Sequence, residues 1–277
     1  MSKKKLEELT IVDDFMFGAV MRDPKRCKAL LEYILGVKIR KIEYLELQKE
    51  LDIEYDAKGI RLDVYVEDEN NTVYDLEIQT TRKKNLPKRT RYYQGIIDLN
   101  IIRRGEDYDR LKKSFIIFIC TYDPFGKGRY IYTFDQTARE DRSVLLDDEA
   151  VKIVLNTKGT TGDISDDLKE TLRYMDGHMP ATEYTKELDS AVEAVKASEE
   201  WRREYMTLFL RDRENVRLGE YKKTVFQIRQ NYKMKRTPDV IASFLFIPAE
   251  KCSEVISVIK EHPDWDDEQV AEEVEWA

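Results

Sequence analysis

GIRLDVYVEDENNTVYDLEIQTT, residues 59–81, reads as two strands joined by a polar turn. Ile60, Leu62, Val64 and Val66 alternate with Arg61, Asp63, Tyr65 and Glu67. After Asp68-Glu69-Asn70-Asn71 the alternation resumes, with Tyr74, Leu76 and Ile78 set against Val73, Asp75, Glu77 and Gln79. A period of two sends alternate side chains to opposite faces of a sheet. Each strand therefore has one apolar face and one face that carries carboxylates. A turn closing symmetrically about Asn70 sets Asp63 opposite Glu77 and Arg61 opposite Gln79, because turn length sets register. Strand centres ordinarily avoid Asp and Glu. Two facing carboxylates repel unless a cation sits between them, and a divalent metal is one such cation.

Working outward, the chain of 277 residues is long enough for one large domain or two smaller ones with a real core. Apolar residues make up 42 % and charged ones 37 %, with a formal net charge of -8. That balance excludes a global basic field for nucleic acid and leaves room for a local basic patch. The Met1-Ser-Lys-Lys-Lys start has no apolar run behind it, so no signal peptide is expected there. No stretch approaches the roughly 20 apolar residues of a membrane span, so no membrane partner is expected. Cys27, Cys120 and Cys252 are far apart and odd in number. They point to a reducing, cytoplasmic setting with neither a disulfide framework nor a zinc site. The two histidines, His178 and His262, make a His-based metal site or a Ser-His-Asp triad improbable. Catalysis would rest on carboxylates, Lys, Arg, Tyr or Gln.

Residues 6–35 read as helical, with Pro24 starting a second helix and Gly36 as its C-cap. Asp13-Asp14 stands where an N-cap would help. Ile42 to Leu47 is a short strand candidate. Residues 82–113 are rich in Lys and Arg with interleaved tyrosines. Ile96, Leu99 and Ile102 recur at helical spacing there, giving a basic amphipathic helix from about Pro87 to Arg103 whose polar side would present Arg89, Arg91 or Gln94. The basic run Arg82 to Lys88, with Lys83, Lys84 and Lys88, is the best local patch for phosphate. Phe115 to Tyr122 is a continuous apolar run of buried-strand type. Tyr130–Phe134 and Val151–Leu155 read as further strands, which makes a mixed α/β core. Beyond Gly162 the strands stop. A helix over Ser165–Met175, a long charged helix or pair over 183–218 and two short helices within Pro238–Ile259 follow. The short pair resembles a helix-turn-helix, and it fits packing or dimerisation better than DNA reading. The acidic end from Asp264 is expected to be loosely ordered. The domain division expected is 1–162 for the mixed core and 163–277 for the helical C-terminal region.

Four blocks in order carry a resemblance. They are Asp14-Phe15-Met16-Phe17, the hairpin with Arg61-x-Asp63 and Glu77-x-Gln79, Arg91-Tyr92-Tyr93-Gln94, and Arg104-Gly105-Glu106-Asp107-Tyr108-Asp109-Arg110-Leu111. Together they resemble the PD-(D/E)XK nuclease family transposases, close to the recombination-promoting nucleases, over roughly residues 10–160. The resemblance implies a restriction-endonuclease-like α/β core, a central mixed sheet flanked by helices, and metal-dependent DNA cleavage. It implies that Asp63 and Glu77 hold Mg²⁺ (with Mn²⁺ as substitute), aided by the backbone carbonyl of Ile78. Two carboxylates and a phosphate suit a hard cation that keeps several waters, and the metal would activate an attacking water. The third motif position, usually Lys, is Gln79 here. Its amide can orient a water but is no base at neutral pH. Asp14 is the candidate for an acidic ligand from the first helix, and Arg91 or Gln94 would touch phosphate or water.

Each reading has a plainer rival. Asp63 and Glu77 can be solvent-face residues of an ordinary hairpin, Asp14 a helix cap, and Arg91, Tyr92, Tyr93 and Gln94 core-packing and solvated-face residues of a helix. The leading expectation is a Mg²⁺-dependent DNA endonuclease. The alternative is a weak or inactive nuclease fold that binds DNA or self-assembles, as a homo-oligomer through the C-terminal helices. Action on RNA is a third possibility.

Overall fold

A computed structural model describes residues 4–51 and 60–274. Gly59 and the Arg61 side chain, both invoked above, lie outside what it describes. The chain divides into two compact units, Met1–Arg202 and Arg203–Ala277.

The first unit is built on a mixed sheet. Its strands are β1 (Ile42–Leu51), β2 (Ile60–Asp68), β3 (Val73–Gln79), β4 (Ser114–Cys120), β5 (Ile131–Phe134) and β6 (Ala150–Asn156). Their spatial order is β1-β2-β3-β4-β6-β5. The β1/β2, β2/β3 and β5/β6 pairs are antiparallel, whereas β3/β4 and β4/β6 are parallel. A parallel neighbour needs a crossover, and between β3 and β4 it is the helix α3 (Leu86–Ile101).

Helices α1 (Asp14–Met21) and α2 (Pro24–Leu35) precede the sheet. The Asp23 side chain accepts from the Lys25 amide, Pro24 opens α2, and Gly36 closes it in the left-handed region at φ 66°. Met16, Phe17, Val20 and Met21 of α1 are buried, and α1 packs on β1, β2 and β3. Helices α4 (Asp166–Met175) and α5 (Glu183–Ala197) complete this layer, α5 against α1 and α4 against α2.

On the other face lies α3. Leu86, Tyr93, Ile96 and Ile97 pack with Tyr65, Val73, Ile116, Phe118, Cys120 and Val154 into one apolar cluster. This corrects the expected helix face. Leu99 is 58 % exposed, and Ile102 already lies beyond the helix in extended conformation. The buried stripe runs through Leu86, Thr90, Tyr93 and Ile97, which are one or two turns apart, and it brings Gln94 with it. Gln94 therefore faces inward. Its Nε2 donates to Ser114 Oγ at 2.8 Å and to Asp98 Oδ1 at 2.9 Å, so it does not join the exposed polar side.

α6 (Glu199–Lys233) is a single helix that runs past the expected end at 218. In the second unit α7 (Pro238–Leu245), α8 (Ala249–Glu261) and α9 (Asp267–Glu273) follow it. Val225, Ile228, Ile241, Cys252, Val255, Ile256, Val270 and Val274 form the core there. Residues 266–274 are thus more ordered than their acidity implied. Asp266 caps α9 by accepting from the Glu268 and Gln269 amides, and Val270, Ala271 and Val274 are buried. Three small apolar residues at helical spacing outweigh the acidic composition around them.

Candidate active site

The hairpin pairs Val64 with Leu76, Tyr65 with Asp75, Val66 with Tyr74 and Glu67 with Val73. Each pair is centred on Asn70, so the register is the symmetric one, and continuing it sets Asp63 level with Glu77. At that level side chains take over the bonding. The Asp63 amide donates to Glu77 Oε1 at 3.0 Å, and the Ile78 amide donates to Asp63 Oδ2 at 3.1 Å. Each carboxylate is thereby pinned by a main-chain N–H of the neighbouring strand, with geometry set by the sheet itself.

This face of the hairpin is not solvated. Asp63, Asp75, Glu77 and Gln79 are 7 %, 0 %, 3 % and 6 % exposed, because α3 lies across them. The plain reading of Asp63 and Glu77 as solvent-face residues therefore fails. Burying several carboxylates together is unfavourable unless charge is neutralised. One cation does this in part. Arg89 of α3 donates from Nη2 to Glu77 Oε2 at 3.3 Å and to the Tyr93 hydroxyl at 2.9 Å, and from Nη1 to Gln79 Oε1. Its guanidinium lies 5.1 Å from the Phe118 ring centroid and 5.3 Å from that of Tyr93. Arg89, expected on the polar side of the helix, thus points into the carboxylates.

Arg89 does not balance the site. Burial first, then the nearby Asp63 and Asp75 charges, pushes Glu77 well above the usual carboxylate range, against a smaller pull from Arg89. Asp75 rises likewise, through burial first and then Asp63. Both Asp75 oxygens are buried without a hydrogen-bond partner. Burial and Glu77 raise the Tyr93 phenol to about 12, so at neutral pH it is a hydrogen-bond donor and no base.

Gln79, the third motif position, is held at both ends of its amide. Oε1 accepts from Arg89, and Nε2 donates to the Thr81 carbonyl at 2.7 Å. Asp14 begins α1 and is exposed. Lys83, Lys84, Lys88 and Arg91 are exposed along the segment that enters α3 and on its first turns. The structure therefore brings Asp63, Glu77, Gln79 and Arg89 together and leaves the lysines outside them. Sequence reasoning missed Asp75 as a member, and held Tyr93 only as part of the Arg91-Tyr92-Tyr93-Gln94 block. Asp75 is two residues from Glu77, hence on the same strand face. Tyr93 is four residues from Arg89, hence on the same helix face.

Asp63 and Glu77 suit a hard divalent cation. They are oxygen donors held rigidly by amides, among buried carboxylates that lack full neutralisation. Among the described residues no group of three or more His, Cys, Asp or Glu side chains forms a cage. A partial set of this kind fits an ion that keeps waters and shares a substrate phosphate.

The model of the PD-(D/E)XK nuclease family transposases matches residues 14–208. No curated protein and no solved structure matches the chain. The match spans the whole sheet, its flanking helices and the carboxylate hairpin, and the chain belongs to that family.

Proposed function

We propose that this member of the nuclease family is a divalent-cation-dependent endonuclease that hydrolyses DNA phosphodiester bonds at Asp63 and Glu77, with Mg²⁺ as cofactor and Mn²⁺ able to replace it. The observation that carries this is the interlocked carboxylate pair, buried on the α3 side of the sheet with Arg89 as its hydrogen-bonded cation. A bound cation would polarise a phosphoryl oxygen and lower the pKa of a water. Asp63 and Glu77 would hold it, helped by the Ile78 carbonyl, with Asp14 a further acidic candidate.

The rest of the reading concerns this chain's own groups. Arg89 bonds Glu77, Gln79 and Tyr93 at once, so it is a ready donor to a phosphate oxygen that enters beside them. The Gln79 amide, fixed by Arg89 and Thr81, orients a water through its remaining lone pair and takes no proton. Tyr93 holds Arg89 in place and keeps its own proton. Lys83, Lys84, Lys88 and Arg91 meet the flanking phosphates and give binding its salt dependence. Gln94, bonded to Ser114 and Asp98, supports α3 and does not contact DNA.

The test is nicking of supercoiled plasmid with Mg²⁺ or Mn²⁺ by the parent protein, Asp63→Ala and Glu77→Ala. Cleavage by the parent alone is expected. Equal nicking by all three would remove the assignment. An RNA substrate run beside the plasmid decides the substrate class.

A second reading has one observation in its favour. Arg89 already engages both Glu77 and Gln79, as in a closed, self-neutralised site. In that case the fold binds or assembles without cleaving. Calorimetry that shows no Mg²⁺ or Mn²⁺ uptake alongside intact DNA binding would favour it.

A further inference from the structure

A cavity opens beside the buried carboxylates, on the same side of the sheet. It has a volume of about 390 Å³, within the lower part of the ~300–1,000 Å³ range of small-ligand sites. Its floor is Val154, with Leu86 and Thr90 of α3 on one wall and Phe125 and Phe134 on the other. Gln136 and Arg91 stand at the rim. The register fixes where this cavity lies. Glu77 pairs with Phe118, and Phe118 pairs with Val154. Val154 therefore sits level with Glu77, two strand spacings away, or about 10 Å. Consecutive residues of α3 serve the two places, since Arg89 reaches Glu77 while Thr90 lines the cavity.

The lining has a definite chemistry. Phe134 is 43 % exposed and is braced by Phe125 with ring centroids 5.2 Å apart, so it presents a supported aromatic surface. Gln136 is oriented by donating from Nε2 to Asp148 Oδ2 at 2.7 Å, which leaves one amide hydrogen and the amide oxygen for another partner. An aromatic platform with an adjacent donor–acceptor pair matches a nucleobase, which stacks by its face and hydrogen-bonds by its edge. The exposed Arg91 at the rim suits the backbone that such a base carries.

We infer that this cavity seats an unpaired base of the DNA strand whose phosphate lies at Asp63 and Glu77, stacked on Phe134 and held at its edge by Gln136. The inference rests on the nuclease reading for the position of the strand, with a phosphate at Glu77 and the sugar and base of its nucleotide together reaching toward Val154. Its consequence is a preference for single-stranded or locally unpaired DNA over intact duplex.

The probe is a single-stranded DNA 12-mer with one central 2-aminopurine, titrated with the full-length protein without added cation, and the same strand annealed to its complement. The parent should change the 2-aminopurine fluorescence of the single strand and bind it more tightly than the duplex. Phe134→Ala and Gln136→Ala should abolish that fluorescence change, and Phe134→Ala should weaken binding about tenfold, the scale of one lost base stack. Both side chains lie at the surface, and thermal melts should confirm that the variants fold as the parent does. Unchanged fluorescence and affinity in both variants, equal binding of duplex, or no binding of the single strand by the parent would each overturn the inference. The two readings fail separately. Loss of the base signal in Phe134→Ala, from a parent that shows no cleavage with either Mg²⁺ or Mn²⁺, would keep the cavity and remove the nuclease. Cleavage that depends on Glu77 with no response at Phe134 would do the reverse.

Discussion

The two ends of one hairpin treat buried carboxylates in opposite ways. At the turn, Asp68 is 5 % exposed and fully occupied. Its Oδ1 accepts from the Asn70 and Thr72 amides at 2.9 Å each, and its Oδ2 accepts from the Tyr74 hydroxyl at 2.7 Å. At the other end, Asp75 is equally buried with both oxygens unpartnered, and burial and its carboxylate neighbours push the Glu77 carboxyl well above the usual range. Glu67, between them, resembles Asp68 in being satisfied. Burial pushes its carboxyl up, but Lys112 at 2.8 Å and the Tyr65 hydroxyl at 2.7 Å hold it below the usual range. A buried carboxylate with its partners in place shapes a fold. A group of them left short of partners has to be explained by something that arrives later.

The largest effect expected from this contrast is on chemistry. Glu77→Gln preserves shape and removes charge, and plasmid cleavage should fall below detection while the melting temperature is kept or rises. An active Glu77→Gln would place the reaction elsewhere. Next comes Arg89→Ala. It leaves the carboxylates without their bonded cation, and removing one partner of a buried pair costs about 3 kcal/mol, less here because the Arg89 side chain is 24 % exposed. Chemical denaturation of the cation-free protein should show a loss of about 2 kcal/mol. Added Mn²⁺ should stabilise this variant more than the parent, since the ion no longer competes with a guanidinium. Equal stabilisation of both would mean that Arg89 and the cation do not share a site.

At the satisfied end the consequence is structural alone. Asp68→Ala strands two amides and a hydroxyl, and should lower stability by about 2 kcal/mol with plasmid cleavage per folded molecule unchanged. A variant that melts like the parent would show that water replaces all three bonds at the turn.

Much of this is legible in the sequence. The alternation from Ile60 to Gln79 makes a hairpin almost unavoidable, and its polar turn centres the register on Asn70 as the structure has it. Pro24 and Gly36 bracket a helix for reasons of backbone geometry. What alternation does not show is which layer covers a face, since polar residues on a strand look the same under a helix as in water. A stripe through Ile96, Leu99 and Ile102 lies rotated from the one that α3 buries. That hid Tyr93 and Ile97, and with them the inward turn of Arg89. Asp75 was in plain view as part of the alternation. Its isolation became visible only with the packing, because an unpartnered oxygen is a property of neighbours that the chain brings from far away.

The smallest and most diagnostic effect belongs to Asp75 itself. Its carboxyl and that of Glu77 are raised above the ordinary values of 3.8 and 4.5. The folded protein therefore holds protons that the unfolded chain has released. Where the native state binds more protons, stability falls as pH rises. The contribution is complete below pH 4 and is lost as pH climbs through the raised folded values. Asp75→Asn removes one of these groups in a volume-conserving way, and with it the cost of burying an ionisable carboxyl, worth about 1 kcal/mol at neutral pH. Thermal melts of the cation-free proteins from pH 4 to 8 should show a shallower decline for the variant, with the curves meeting at the acid end. Saturating Mg²⁺ should flatten the parent's curve as well, because an ion at Asp63 and Glu77 offsets the same repulsion from the other side. Parallel curves for parent and variant would mean that Asp75 keeps its ordinary acidity, and the contrast between the two ends of the hairpin would then rest on Glu77 alone.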